Sequence, residues 1–99
     1  MENLKNLESA FAKALQEDKR LAGEIAYVLA IKAHREGEEE KSKYYAKECV
    51  KIFEELDSDI KTLEDAAARL NVVEGVALPE FIHLNVVKVR FQKMGISYQ

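Results

Sequence analysis

Apolar residues recur at intervals of three and four along most of this chain, the spacing that places side chains on one face of an α-helix. The longest apolar run is Leu21–Ala33, and its apolar side chains form two adjacent stripes. A helix that is apolar around most of its circumference is buried by its neighbours. The sequence therefore predicts a central apolar helix over residues 21–35. It ends at Gly37, because glycine suits the left-handed position after a helix.

Amphipathic helices are predicted on both sides of this central helix. The first has an apolar face of Leu4, Leu7, Phe11 and Ala14 or Leu15. Asn3 is its expected N-cap, and a tight connection is expected near Asp18. The helix after Gly37 starts with the acidic residues 38–40, which stabilise a first helical turn. Its inward stripe consists of Tyr45, Cys49, Ile52 and Leu56.

The last forty residues predict two more helices separated by a loop. The fourth helix has the inward residues Ile60, Leu63, Ala67 and Leu70. Residues 74–78 are the predicted loop, and Pro79 suits the start of a helix. The last helix has the stripe Phe81, Leu84, Val87, Phe91 and Met94, and it ends at Gly95 before a loose tail. Because valines favour strands, residues 81–91 are left open between helix and strand.

These elements predict one helical domain over residues 1–99. Its fold class is all-α, a compact bundle of about five helices around the helix at 21–35. Ninety-nine residues are enough for one core and too few for two. The composition, 47% hydrophobic and 33% charged, is that of a globular chain.

The charge is unevenly distributed along the chain. Residues 81–99 hold three bases and no acid, so they carry +3 of a net charge of −3 and the rest carries −6. General nucleic-acid binding requires a concentrated basic face, and this distribution argues against it. A nucleic-acid adaptor acting through Lys88, Arg90 and Lys93 is therefore only a third interpretation.

The location expected from the sequence is cytoplasmic. A single cysteine cannot form an intramolecular disulfide, and residues 1–4 lack the basic-then-apolar pattern of a signal peptide. The apolar run at 21–33 contains Glu24 and Lys32 and is too short to span a bilayer. No membrane partner is expected.

The chain over about residues 23–56 resembles a tetratricopeptide-type helical hairpin. The residues that carry the resemblance are Leu29, Ala30, Gly37, Ser42 and Cys49. Small residues at such positions let two antiparallel helices approach closely. The resemblance implies peptide or protein binding on a concave face. A generic pair of antiparallel helices explains the same residues.

The same segment departs from the tetratricopeptide pattern at four positions. Alanine occupies three places where aromatics are usual, and Glu54 stands where proline is usual; the alanines are Ala26, Ala33 and Ala46. No second copy of the hairpin follows at the repeat length. These departures put a concave peptide-binding face in doubt.

Candidate catalytic and metal-binding residues are few. Glu80 and His83 form one Glu-x-x-His motif, whereas a di-iron bundle requires two such motifs and two further glutamates. His34, the other histidine, is four residues from Glu38, but Gly37 intervenes where the chain should turn. Cys49 lies among apolar residues of its helix, which indicates a packed thiol and not a nucleophile. No catalytic, cofactor-binding or metal-binding residue is predicted, and the chain is not expected to be an enzyme.

Two surfaces predict a protein partner. Tyr44 and Tyr45 are adjacent, so they point about 100° apart on a helix and cannot both face one core. The last helix has a second apolar stripe of Ile82, Val86 and Val89 beside its first. A terminal helix with two apolar faces has more to bury than one neighbour can cover.

The function predicted from the sequence is a non-catalytic helical protein–protein interaction or scaffold module. We expect it to self-associate as a homodimer, with Tyr44, Ile82, Val86 and Val89 at the interface. The alternative is a small metal-binding helical bundle or enzyme that uses His34, His83 and nearby glutamates.

Overall fold

A computed structural model of the chain describes residues 2–56, 72–73, 76–77 and 84–99. Its helices in these ranges are α1 (Glu2–Glu17), α2 (Lys19–Arg35), α3 (Glu39–Glu55) and α4 (Leu84–Met94). Two short strands, β1 (Val72–Val73) and β2 (Val76–Ala77), pair antiparallel, with Val72 opposite Ala77 and Val73 opposite Val76. The radius of gyration is 12.0 Å, close to the roughly 13 Å of a compact 100-residue domain. The predicted compact all-α class is confirmed.

The described helices pack in a chain of neighbours. Helix α2 lies against α1, α3 and β2, and α3 in turn lies against α4. Eleven residues of α2 are buried, and they include Glu24 as well as the apolar residues. Burial on more than one face explains why Leu21–Ala33 has only two charged residues, Glu24 and Lys32.

Helix ends follow the signals in the sequence. Asp18 is the N-cap of α2, and its side chain accepts a hydrogen bond from the backbone N–H of Leu21 at 3.2 Å. Gly37 has a φ of 79°, and the amides of Gly37 and Glu38 bond back to His34 and Ala33. This is a Schellman cap, in which a left-handed glycine satisfies the last carbonyls of a helix. The predicted connection near Asp18 and the predicted stop at Gly37 are confirmed.

Three local predictions are wrong. Asn3 is not an N-cap, because α1 already begins at Glu2. Part of the predicted loop at 74–78 is the strand β2, since pairing with β1 favours the extended backbone of valine. The tail after Gly95 is not loose, because Ile96 is only 3% exposed and Tyr98 packs on Phe91.

The strand alternative for residues 81–91 is wrong over the part that the structure describes, because α4 is helical from Leu84. Packing of Val87 and Phe91 into the core outweighs the strand preference of the valines. The predicted fourth helix at 60–70 lies outside the described residues. So do the helix start at Pro79 and the side chains of Phe81, Ile82 and His83.

Gly23 sets how closely α2 and α3 approach each other. A Cβ added at Gly23 would lie 3.0 Å from Ile52 Cγ2 and 3.1 Å from Phe53 Cζ. These distances are shorter than ordinary van der Waals contact. The absence of a side chain at Gly23 therefore permits the tight packing of the two helices.

We expect Gly23→Ala to lower the free energy of unfolding. Overpacking a core costs about 1–3 kcal/mol, and alanine returns about 1 kcal/mol of helix propensity. The expected net loss of about 1 kcal/mol can be measured by urea unfolding. A variant more stable than the parent would show that the Phe53 ring moves aside at no cost.

Candidate protein interface

One side of α4 lines an open groove. Its described lining residues, here called the α4 surface, are Val86, Val89, Arg90, Lys93 and Met94, and the cavity measures about 540 Å³. These residues are spaced at intervals of three, one, three and one, so they form a single stripe along the helix. The groove thus combines apolar side chains with two cations.

The apolar part of the α4 surface is accessible to solvent. Val89 is 48% exposed, and Val86 is partly exposed beside it. Val87 and Phe91 are buried, because α4 directs the other side of the same helix into the core. Among the described residues, Val89 and Tyr44 are the two large hydrophobic residues that are classed as exposed.

The buried side of α4 holds the α4 surface in place. The Phe91 ring lies 5.6 Å from the Tyr27 ring and 6.2 Å from the Tyr98 ring, between centroids. The amide of Ile96 donates to the carbonyl of Phe91 at 2.9 Å and closes a second Schellman cap. Gln92 donates to the Tyr98 hydroxyl at 3.0 Å. The residues after Gly95 therefore fold back on the last turns of α4 and hold Phe91 and Gln92 in place.

Arg90 and Lys93 are the two cations of the α4 surface. Neither Arg90 nor Lys93 forms an ion pair with another residue of the described part. Burial raises the pKa of the Tyr27 hydroxyl, and the nearby guanidinium of Arg90 opposes this rise. Arg90 thus lies where the core meets the groove, with Lys93 one turn nearer the end of the helix.

Tyr44 projects from α3, where Tyr45 supports it. The Tyr44 ring meets the Tyr45 ring edge-on at 4.9 Å, and the Tyr45 ring meets Phe11 in the same way at 5.4 Å. The Tyr45 hydroxyl donates to Glu8 Oε2 at 2.8 Å, which anchors it to α1. Tyr44 is 53% exposed and Tyr45 is 7% exposed. The prediction that only one of the pair can face the core is confirmed.

The structure places the predicted interface residues in two locations. Val86 and Val89 lie together in the groove, and Tyr44 lies on α3 outside its described lining. Ile82 lies outside the described residues. Sequence reasoning missed Arg90 and Lys93 as part of the same surface. A signal for them was present, since they follow Val86 and Val89 by four residues each.

Of the candidate catalytic and metal-binding residues, Cys49 and His34 are not part of the described lining of this groove. Burial raises the pKa of the Cys49 thiol, and the nearby carboxylate of Glu24 raises it further. His34 Nδ1 lies 3.2 Å from the Glu39 carboxylate and not beside Glu38. Over the described ranges, no three histidine, cysteine or acidic side chains are grouped closely enough to hold a metal ion. His83 is not among the described residues.

Comparison with protein-family models, with curated proteins and with solved structures found no match to this chain. None of the described helices has the length and hydropathy needed to cross a membrane.

Proposed function

We propose that this protein is a non-catalytic helical interaction module that self-associates as a homodimer. Its interface contains Val86 and Val89 of the α4 surface, with Ile82 earlier in the same stripe and Tyr44 on α3. The observation that supports the proposal best is the half-exposed Val89 in the lining of a groove of about 540 Å³.

Three features of the groove support binding of a protein partner. Its apolar residues are held on a rigid helix, so little conformational entropy is lost when they are covered. Its rim carries cations without ion-pair partners in the described part, and such groups give an interface specificity. Its described apolar residues form a stripe along one helix, which suits the docking of another helix.

The proposal extends to the parts of the fold that lie outside the described residues. We propose as well that the predicted fourth helix at 60–70 forms, that α2 is central in a bundle of about five helices, and that the protein is cytoplasmic. The metal-binding alternative with His34, His83 and nearby glutamates stays a prediction. Native mass spectrometry of the purified protein tests it through any bound metal mass.

We expect the wild-type protein to be dimeric and Val89→Glu to weaken the dimer at least about tenfold, because covering the introduced carboxylate in an apolar contact costs desolvation energy. Sedimentation velocity over a range of concentrations measures the dissociation constant. Ala12→Glu is the matched control, since Ala12 is an exposed residue of α1. It adds the same charge away from the groove and should leave the dimer unchanged.

Two results would contradict the proposal. The first is a wild-type protein that remains monomeric at every accessible concentration. The second is equal weakening by Val89→Glu and Ala12→Glu, because that would indicate a general charge effect. Circular dichroism of each variant is the control for folding, and we expect both spectra to match the wild type.

A further inference from the structure

The structure points to a specific pairing within the proposed dimer, in which Tyr44 of one copy enters the α4 groove of the other. We infer that α3 of each copy lies antiparallel to α4 of its partner, with Tyr44 against Val89 and Glu40 against Lys93. This inference rests on the proposed function and names its contact. The arrangement is reciprocal, so a two-fold dimer contains the contact twice.

Tyr44 and Val89 are the two exposed large hydrophobic residues of the described part. Tyr44 and Val89 lie on different helices and do not cover each other. Tyrosine is enriched at protein interfaces, where its ring is buried and its hydroxyl stays at the edge. The groove that Val89 lines measures about 540 Å³, and Arg90 in its lining can stack on an aromatic face.

The spacing of the contact residues is the same on α3 and on α4, which supports the pairing. Glu40 precedes Tyr44 by four residues on α3, and Lys93 follows Val89 by four residues on α4. Four residues span about 6 Å along a helix, so both pairs have the same length. In an antiparallel register, placing Tyr44 on Val89 brings the Glu40 carboxylate to the Lys93 ammonium. The same register places the aliphatic stem of Lys47 over Val86.

The charges of Glu40 and Lys93 are complementary, which also supports the pairing. Glu40 and Lys93 are both exposed. Neither forms an ion pair with another of the described residues. The neighbouring Lys41 already contacts Glu8 at 3.4 Å, and Glu39 contacts His34 at 3.2 Å. Pairing two α4 surfaces with each other would instead bring four cations together. The acidic start of α3 is therefore the better partner for the basic end of α4.

Single substitutions provide the first test of this pairing. Tyr44→Ala should weaken the dimer at least about tenfold, comparable with Val89→Glu, because tyrosine anchors interfaces. If two α4 surfaces paired directly, Tyr44→Ala would leave the dissociation constant unchanged. A wild-type level of association in Tyr44→Ala therefore overturns the inference and removes Tyr44 from the proposed interface, while a dimer formed through Val86 and Val89 still stands.

Mixing two charge variants provides the decisive test. Glu40→Lys and Lys93→Glu should each weaken self-association at least about fivefold, because like charges would then meet in both contacts. In an equimolar mixture, the mixed dimer has opposite charges in both contacts. We expect its dissociation constant to return to within about twofold of the wild type. Native mass spectrometry of one isotopically labelled variant distinguishes the mixed dimer from the parents.

The controls separate loss of the contact from loss of the fold. Glu40, Tyr44 and Lys93 are all exposed, so each variant should keep the wild-type circular dichroism spectrum. Lys5→Glu makes the same charge change on α1 and should leave association unchanged. A mixture no tighter than its weaker parent overturns the Glu40–Lys93 pairing. A wild-type chain that never associates would contradict the proposed function itself, whatever the charge variants do.

Discussion

Phe91→Ala is expected to lower the free energy of unfolding by about 3–5 kcal/mol, the range for removing a fully buried aromatic ring. Phe91 is buried, and its ring lies against Tyr27 of α2 and Tyr98 of the tail. Removing it leaves a cavity where α4 meets the rest of the bundle. Small domains have only about 5–15 kcal/mol of stability, so the loss is large.

Urea unfolding at low protein concentration measures this loss without a contribution from dimerisation. Val89→Ala is the matched control, because it shortens an exposed residue of the same helix and should change stability by no more than about 0.5 kcal/mol. Phe91→Ala should also weaken self-association, since it loosens the helix that carries the groove. A stability loss below about 1 kcal/mol would show that Phe91 does not anchor α4.

The second large effect is a loss of stability in alkaline solution. Burial raises the pKa of Tyr45, Tyr27 and Cys49 in the folded state. For Tyr45, the hydrogen bond to the Glu8 carboxylate raises the pKa further, and for Cys49 the carboxylate of Glu24 does so. In the unfolded chain these groups titrate near their ordinary values, 9.0 for cysteine and 10.0 for tyrosine.

The sign follows from proton linkage. Above pH 9 to 10, the unfolded chain releases protons that the folded chain still holds, so the free energy of unfolding falls as the pH rises. Each retained proton gives a slope of about 1.4 kcal/mol per pH unit. Below about pH 8 these three groups contribute almost no slope, because both states then hold nearly all of the protons.

Thermal unfolding between pH 8 and pH 11 measures this decline, and Tyr45→Phe identifies the part that comes from one hydroxyl. The variant should be less stable near neutral pH, because it loses the hydrogen bond to Glu8, and its alkaline slope should be shallower. An alkaline slope equal to that of the parent would show that Tyr45 ionises freely in the folded protein.

Local patterns in the sequence were sufficient for most of the helical framework. The three- and four-residue spacing of apolar positions identified α1, α2 and α3, because that spacing alone gives a helix a face to bury. Asp18 and Gly37 marked helix ends, since an N-cap side chain and a left-handed glycine act within a few residues. The exposed position of Tyr44 also followed from its adjacency to Tyr45.

Features that depend on pairing and packing were harder to predict. The ladder of β1 and β2 joins residues only three to five positions apart, but strand propensities of single residues do not show that the two segments pair. The burial of Ile96 depends on the cap that turns the chain back at the end of α4, and Tyr98 packs on Phe91 only in the folded chain. Residues 84–94 are helical and not a strand because the helix buries Val87 and Phe91 in the core.

By itself, the sequence determined the all-α class, the ends of α2 and the apolar character of Val86 and Val89. Only the tertiary structure decided that these valines share one groove with Arg90 and Lys93, and that Tyr44 stands apart on α3. The physical reason is that helical spacing assigns residues to faces, whereas the packing of Phe91 against Tyr27 decides which face remains in solvent.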